Sequence, residues 1–194
     1  MYRSKEEYNN VDQLIYNIYM DYGIRKFPVS AEELCKKMGL KIALYSEFSQ
    51  DGQNLLRKKS EYGFFYSETS SIYVNDSYSE ETQRFTVFHE LKHYICEDEN
   101  DDDDDLAEYF SRHFMCPTIY LLLKGIDTPE KIAEICGVSY TAAYYSSKNI
   151  LNRRAKYGKR VFDHEREFIE YLAPDLLVPD FFSDLLKLPT SKKL

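Results

Sequence analysis

Residues His89-Glu90-Leu91-Lys92-His93 place two histidines four positions apart around a glutamate, and that pattern constrains this chain more than any other. On an α-helix, residues i and i+4 lie one turn apart and about 40° around the axis, so both imidazoles face one side. The flanking Phe85, Val87, Phe88, Leu91, Tyr94 and Ile95 put apolar residues on most of the helix surface, which predicts a largely buried helix. Two histidines and a carboxylate inside such a helix are costly without a shared partner. A single Zn²⁺ is a partner that suits the pattern. Histidine is a common zinc ligand, and the intervening Glu90 stands where it can take a proton from water beside the metal. The alternative is a buried helix with two hydrogen-bonded histidines and a surface glutamate.

Zinc in a hydrolase takes three protein ligands and leaves a fourth position open, so the pattern also predicts a third donor downstream. Ala107, Phe110 and Phe114 form the apolar stripe of a second helix that stops near Pro117, and Asp104 and Glu108 lie on its other face. Either carboxylate, Asp104 or Glu108, can ligate while the other orients a ligand histidine. Cys96 is a rival, but His89, His93 and Cys96 on one straight helix spread over about 10 Å, too far for one tetrahedral ion. His113 faces elsewhere and is read as structural.

Composition bounds the rest. A chain of 194 residues and 23.0 kDa makes one domain, or one with a small appendage. It has no 18-residue apolar run and no apolar signal-peptide core at MYRSKEEYNN, and its four cysteines form no C-x-x-C pair. The expectation is a cytoplasmic protein with reduced thiols. The formal charge of -8 is local: residues 97–108 carry nine Asp or Glu and no Lys or Arg, and the remainder is nearly neutral. Glu97 to Asp103 reads as a solvated loop.

Apolar spacing predicts a helix over Tyr8–Tyr22 and a short helix after Ser30, with Glu33 completing a capping box. A strand over Lys41–Tyr45, a polar loop over 46–61 and a hairpin of strands at 63–66 and 71–75 follow. Ser77 or Ser79 caps the histidine helix. Beyond Pro117 the chain reads as helical at 119–124, 129–136, 140–151 and 165–172, ending in an apolar, proline-broken tail. The fold class is α+β: a small N-terminal antiparallel or mixed sheet, a helical core carrying the histidine motif, and a helical C-terminal part. The division expected is a domain over 1–126 that holds the histidine motif and a helical region over 127–194.

Several runs are similar to those of the ImmA/IrrE metallopeptidases. YVNDSYSEETQRFTVFHELKHYI resembles the family's strand ending in Asn followed by R-F-T-x-x-H-E-L-G-H-Y. LAEYFSRHFMCP resembles E-A-N-x-F-A-x-x-L-L-M-P, and FPVSAEELCKKMGLKIALYSEF has the same look upstream. The resemblance covers roughly residues 10 to 145. It implies a zincin-like core, a metallopeptidase-like domain over 1–126 and an intracellular zinc endopeptidase, of a kind encoded on phages or integrative elements, whose protein substrate is a helix-turn-helix repressor. His89, Glu90 and His93 match directly, as metal ligands and catalytic base. Lys92 stands where the family has Gly, and Asp104 where it has the ligand Glu, so the resemblance implies Asp104 as ligand with Glu108 as the partner that orients a histidine; Leu106 and Glu108 replace the family's following Glu and Asn. An aspartate is shorter by about 1.5 Å, so either its helix comes closer or Asp105 or Glu108 takes the ligand place.

Two other functions compete. PEKIAEICGVSYTAAYYSSKNI has a helix-turn-helix pattern, and residues 131–160 hold seven Lys or Arg against one Glu, a footprint for nucleic acid. The same pattern describes a helix pair packed on a catalytic domain, and the second helix offers one positive charge over TAAYYSSKN. The third possibility is an inactive relative that binds a repressor without cutting it. Tyr94, Tyr109 and His164 are the candidates for stabilising an oxyanion.

Overall fold

A computed structural model of the chain describes residues 4–96 and 104–177, so the expected solvated run at 97–103 and most of the apolar tail lie outside the described residues. Helix α1 (Lys5–Asp21) starts at a full capping box, in which the Glu7 amide donates to Ser4 Oγ and the Ser4 amide to Glu7 Oε2. It buries Val11, Ile15, Ile18 and Tyr19 along one face. Helix α2 (Ala31–Lys37) is capped by Ser30, whose hydroxyl accepts from the Glu33 amide. The return arm of that box, from the Ser30 amide to the Glu33 carboxylate, does not form among the described residues, and the Ser30 hydroxyl donates to Glu32 Oε2.

Strand β1 (Lys41–Leu44) leads through a 3-10 turn at Tyr45–Glu47 into helix α3 (Gln50–Lys59). This corrects the expectation of a loop over 46–61. Helix α3 buries no residue, so it has no apolar stripe to show in sequence; local signals hold it, a Ser49 cap and a cationic last turn of Arg57, Lys58 and Lys59. Strands β2 (Gly63–Tyr66) and β3 (Ser71–Val74) form the predicted hairpin, turning at Ser70 with φ 47°.

The sheet order is β1-β3-β2. Strand β1 runs parallel to β3 with Ile42 opposite Ile72, and β2 runs antiparallel to β3 with Phe65 opposite Ile72, so β2 is an edge. Helix α4 (Glu80–Cys96), capped by the Ser79 hydroxyl, packs on β2 and β3 and carries the histidine pair. Gly63 lets strand and helix approach: a Cβ there would stand 2.4 Å from the Tyr73 carbonyl oxygen and 2.7 Å from Thr86 Cγ2.

Helix α5 (Asp104–Met115) packs against α4 and α1, burying Ala107, Phe110 and Phe114 as the stripe predicts. The Tyr19 hydroxyl donates to the Phe114 carbonyl at 2.6 Å, joining α1 to α5. Four helices follow: α6 (Thr118–Lys124), α7 (Pro129–Cys136), α8 (Tyr140–Tyr157) and α9 (Asp163–Leu172). Core residues on both sides of position 126, including Ile15, Tyr19, Phe114, Ile132, Ile150 and Phe168, belong to one cluster. The Arg84 guanidinium of α4 donates to the Cys136 and Gly137 carbonyls, each at 2.9 Å, and so satisfies the open end of α7 from the histidine helix itself.

Candidate metal centre

One turn apart on α4, His89 and His93 converge with their Nε2 atoms 3.3 Å apart. Asp104, the first residue of α5, brings Oδ1 to 3.3 Å from His89 Nε2 and 3.5 Å from His93 Nε2. Ligands about 2.0–2.1 Å from a tetrahedral zinc are separated by edges of about 3.3–3.4 Å. The triangle of two nitrogens and one oxygen has that size, and its fourth corner is open to a cleft. Among the described residues these three form the one group of His, Cys, Asp or Glu whose donor atoms gather in this way.

Despite its shorter side chain, Asp104 reaches the triangle from α5, which packs against α4. The two histidines are mostly buried and the carboxylate is mostly exposed. Burial and the neighbouring His93 lower the pKa of His89, with Asp104 opposing them. A neutral imidazole is the form that ligates a metal.

Glu90 sits beside the triangle without joining it. Its Oε2 accepts a hydrogen bond from the Phe65 amide of β2 at 2.9 Å. Burial pushes its carboxyl up to about 7; the Phe65 amide opposes this and the negative charge of Asp104 adds to it. A carboxylate of that pKa is matched to taking and returning protons near neutrality.

Other expected site residues fall elsewhere. The Glu108 carboxylate does not meet a histidine; it pairs with Arg112 one turn on, at 2.6 Å, though the residue lines the cleft. Cys96 is exposed and lies outside the triangle. His113 stacks on Tyr109 with ring centroids 3.9 Å apart, and its Nδ1 lies 3.8 Å from Asp12, away from the cleft. Lys92, at the family's glycine position, is 2 % exposed within α4.

The centre opens into a cleft of about 1550 Å³. Its lining includes Thr86, Tyr94 and the site residues of α4, then Gly63 to Glu68 from β2 and its turn, and Asn17, Ile18 and Asp21 of α1. No sequence pattern marked Phe65 or the α1 residues, since the first acts through its backbone amide and the others arrive by tertiary packing alone.

A family model described as the IrrE N-terminal-like domain of the Peptidase M78 family matches residues 35–148. The chain belongs to that family. The matched stretch holds the sheet, α4, α5 and most of the cleft, and it ends inside α8. No curated protein matches the chain. Membership supports a metallopeptidase-like function and agrees with the α+β architecture around the histidine helix. No helix among the described residues is long and apolar enough to cross a membrane.

Proposed function

We propose that the protein is a zinc-dependent endopeptidase in which His89, His93 and Asp104 hold the metal and Glu90 is the general base. The observation that carries this reading is the triangle of donor atoms, sized for tetrahedral zinc, beside a buried carboxylate of raised pKa. When bound there, Zn²⁺ supplies Lewis acidity that makes water a nucleophile at neutral pH and polarises a carbonyl. Glu90 takes the proton of the attacking water and passes it to the leaving amine as the peptide C–N bond breaks.

The cleft favours an extended polypeptide over a small molecule. Tyr62 O accepts from the Asn75 amide, so in the antiparallel alternation Gly63 and Phe65 turn their backbone groups away from β3, toward the free edge. The Gly63 amide is taken by Ser60 Oγ and the Phe65 amide by Glu90, which leaves carbonyls for a peptide laid along β2. The cleft also exceeds the roughly 300–1,000 Å³ common for small-molecule pockets. The substrate we propose is a helix-turn-helix repressor of a phage or mobile element, and its support is the family resemblance.

Incubating zinc-loaded protein with such a repressor encoded beside it, with and without chelator, tests the reading. Products that appear only without chelator are expected, and Glu90→Gln should keep the metal while slowing cleavage at least about 10²-fold. An unchanged rate in that variant would reject Glu90 as the base.

A further inference from the structure

We propose that Tyr94 donates the hydrogen bond that stabilises the developing oxyanion of the scissile carbonyl; this rests on the peptidase reading above. Of the three side chains that the sequence offers for the role, two are engaged elsewhere. The Tyr109 hydroxyl donates to Asp12 Oδ1 at 3.0 Å, and the His164 ring stacks between Tyr16 and Phe162; neither lines the cleft.

Tyr94 does line it. It lies four residues after Glu90 on α4, so the two share a face, and helical side chains lean back toward the preceding turn. A tyrosine hydroxyl stands about 6.5 Å from its Cα, more than the 5.4 Å of one turn, which brings it level with Glu90. Phe65 fixes both groups: its amide holds the Glu90 carboxylate, and its ring meets that of Tyr94 edge-on with centroids 5.2 Å apart. Among the described residues the Tyr94 hydroxyl has no hydrogen-bond partner. Tyr66, the nearby phenol on β2, is already committed to Glu68 at 2.6 Å. A donor held by packing, without a hydrogen-bond partner among the described residues and in the lining of the cleft that holds Glu90, is suited to oxyanion stabilisation.

The test uses two zinc-directed probes on full-length, zinc-loaded protein, with wild type and Tyr94→Phe compared by calorimetry. N-phosphoryl-Leu-Phe presents a tetrahedral anionic oxygen, whereas mercaptoacetyl-Leu-Phe offers a thiolate and no oxyanion. The variant should bind one zinc as wild type does, lose about 10- to 100-fold in affinity for the phosphoryl probe, as for a hydrogen bond to a charged group, and keep its affinity for the thiol probe. Equal losses for both probes would show that Tyr94 only shapes the cleft, and no loss for either would remove it from the site. If wild-type protein with one zinc binds neither probe, the peptidase reading itself fails, and the proposal with it.

Discussion

Replacing Asp104 should cost more than replacing any other residue of α5, because its Oδ1 closes the donor triangle. Asp104→Ala is expected to weaken zinc binding well over tenfold, and His93→Ala to abolish stoichiometric binding, both read by competitive chelation. Glu108→Ala should leave zinc affinity within about threefold, since its carboxylate belongs to Arg112 in an exposed pair of small worth. A large loss at Glu108 with none at Asp104 would reverse the ligand assignment. Single residues were legible in sequence wherever helix geometry alone brings them together, as with His89, Glu90 and His93. The pairing of Glu108 is equally local, since Arg112 four residues on is a partner that needs no tertiary structure. The amide of Phe65 had no such signal, because any residue but proline supplies it.

Whole elements divide along the same line. The hairpin, the α4 cap and the α5 stripe follow from local pattern, whereas α3 escaped because a helix without a buried face has no period to detect. How closely elements approach is written in small residues that a pattern does not rank, and Gly63 is the clearest. Gly63→Ala would drive a methyl into the Tyr73 carbonyl and the Thr86 side chain, backbone on one side and a packed helix on the other. The expected cost is about 1–3 kcal/mol, measured as a lowered urea midpoint with unchanged slope. Because β2 must then move off α4, the Phe65–Glu90 hydrogen bond should lengthen and the Glu90 carboxyl should lose its anchor. An unchanged midpoint would mean that the strand can shift without disturbing the helix.

At the scale of the molecule, the order of elements was readable but their convergence was not. Asp12, an ordinary polar position on α1, ends up where four helices meet: Tyr109 and His113 face it from α5, Arg153 from α8, Glu165 from α9, and Tyr16 from α1 itself. Arg153 is drawn to Glu165, 2.7 Å away, so Asp12 has the Tyr109 hydroxyl as its hydrogen-bond donor. Burial pushes its carboxyl up to about 7; the Tyr109 hydroxyl and Arg153 pull the other way, and Glu165 adds to the rise. An unfolded aspartate titrates near 3.9. Between about 4 and 7 the unfolded chain has therefore released a proton that the folded chain retains, and stability falls as pH rises through that window before levelling off. His113, pushed down to about 4 by burial and by Arg112, acts in the opposite sense, losing stability as pH falls from about 6.5. Asp12→Asn keeps an acceptor for Tyr109 and removes only the acid's share. The variant should match wild type near pH 4 and gain on it up to pH 7, by at most about 4 kcal/mol. Urea unfolding of both proteins in chelator, at intervals from pH 4 to 8, measures this without the pH dependence of metal loading. Parallel curves across the range would show that the Asp12 carboxylate is ionised at little cost where the four helices meet.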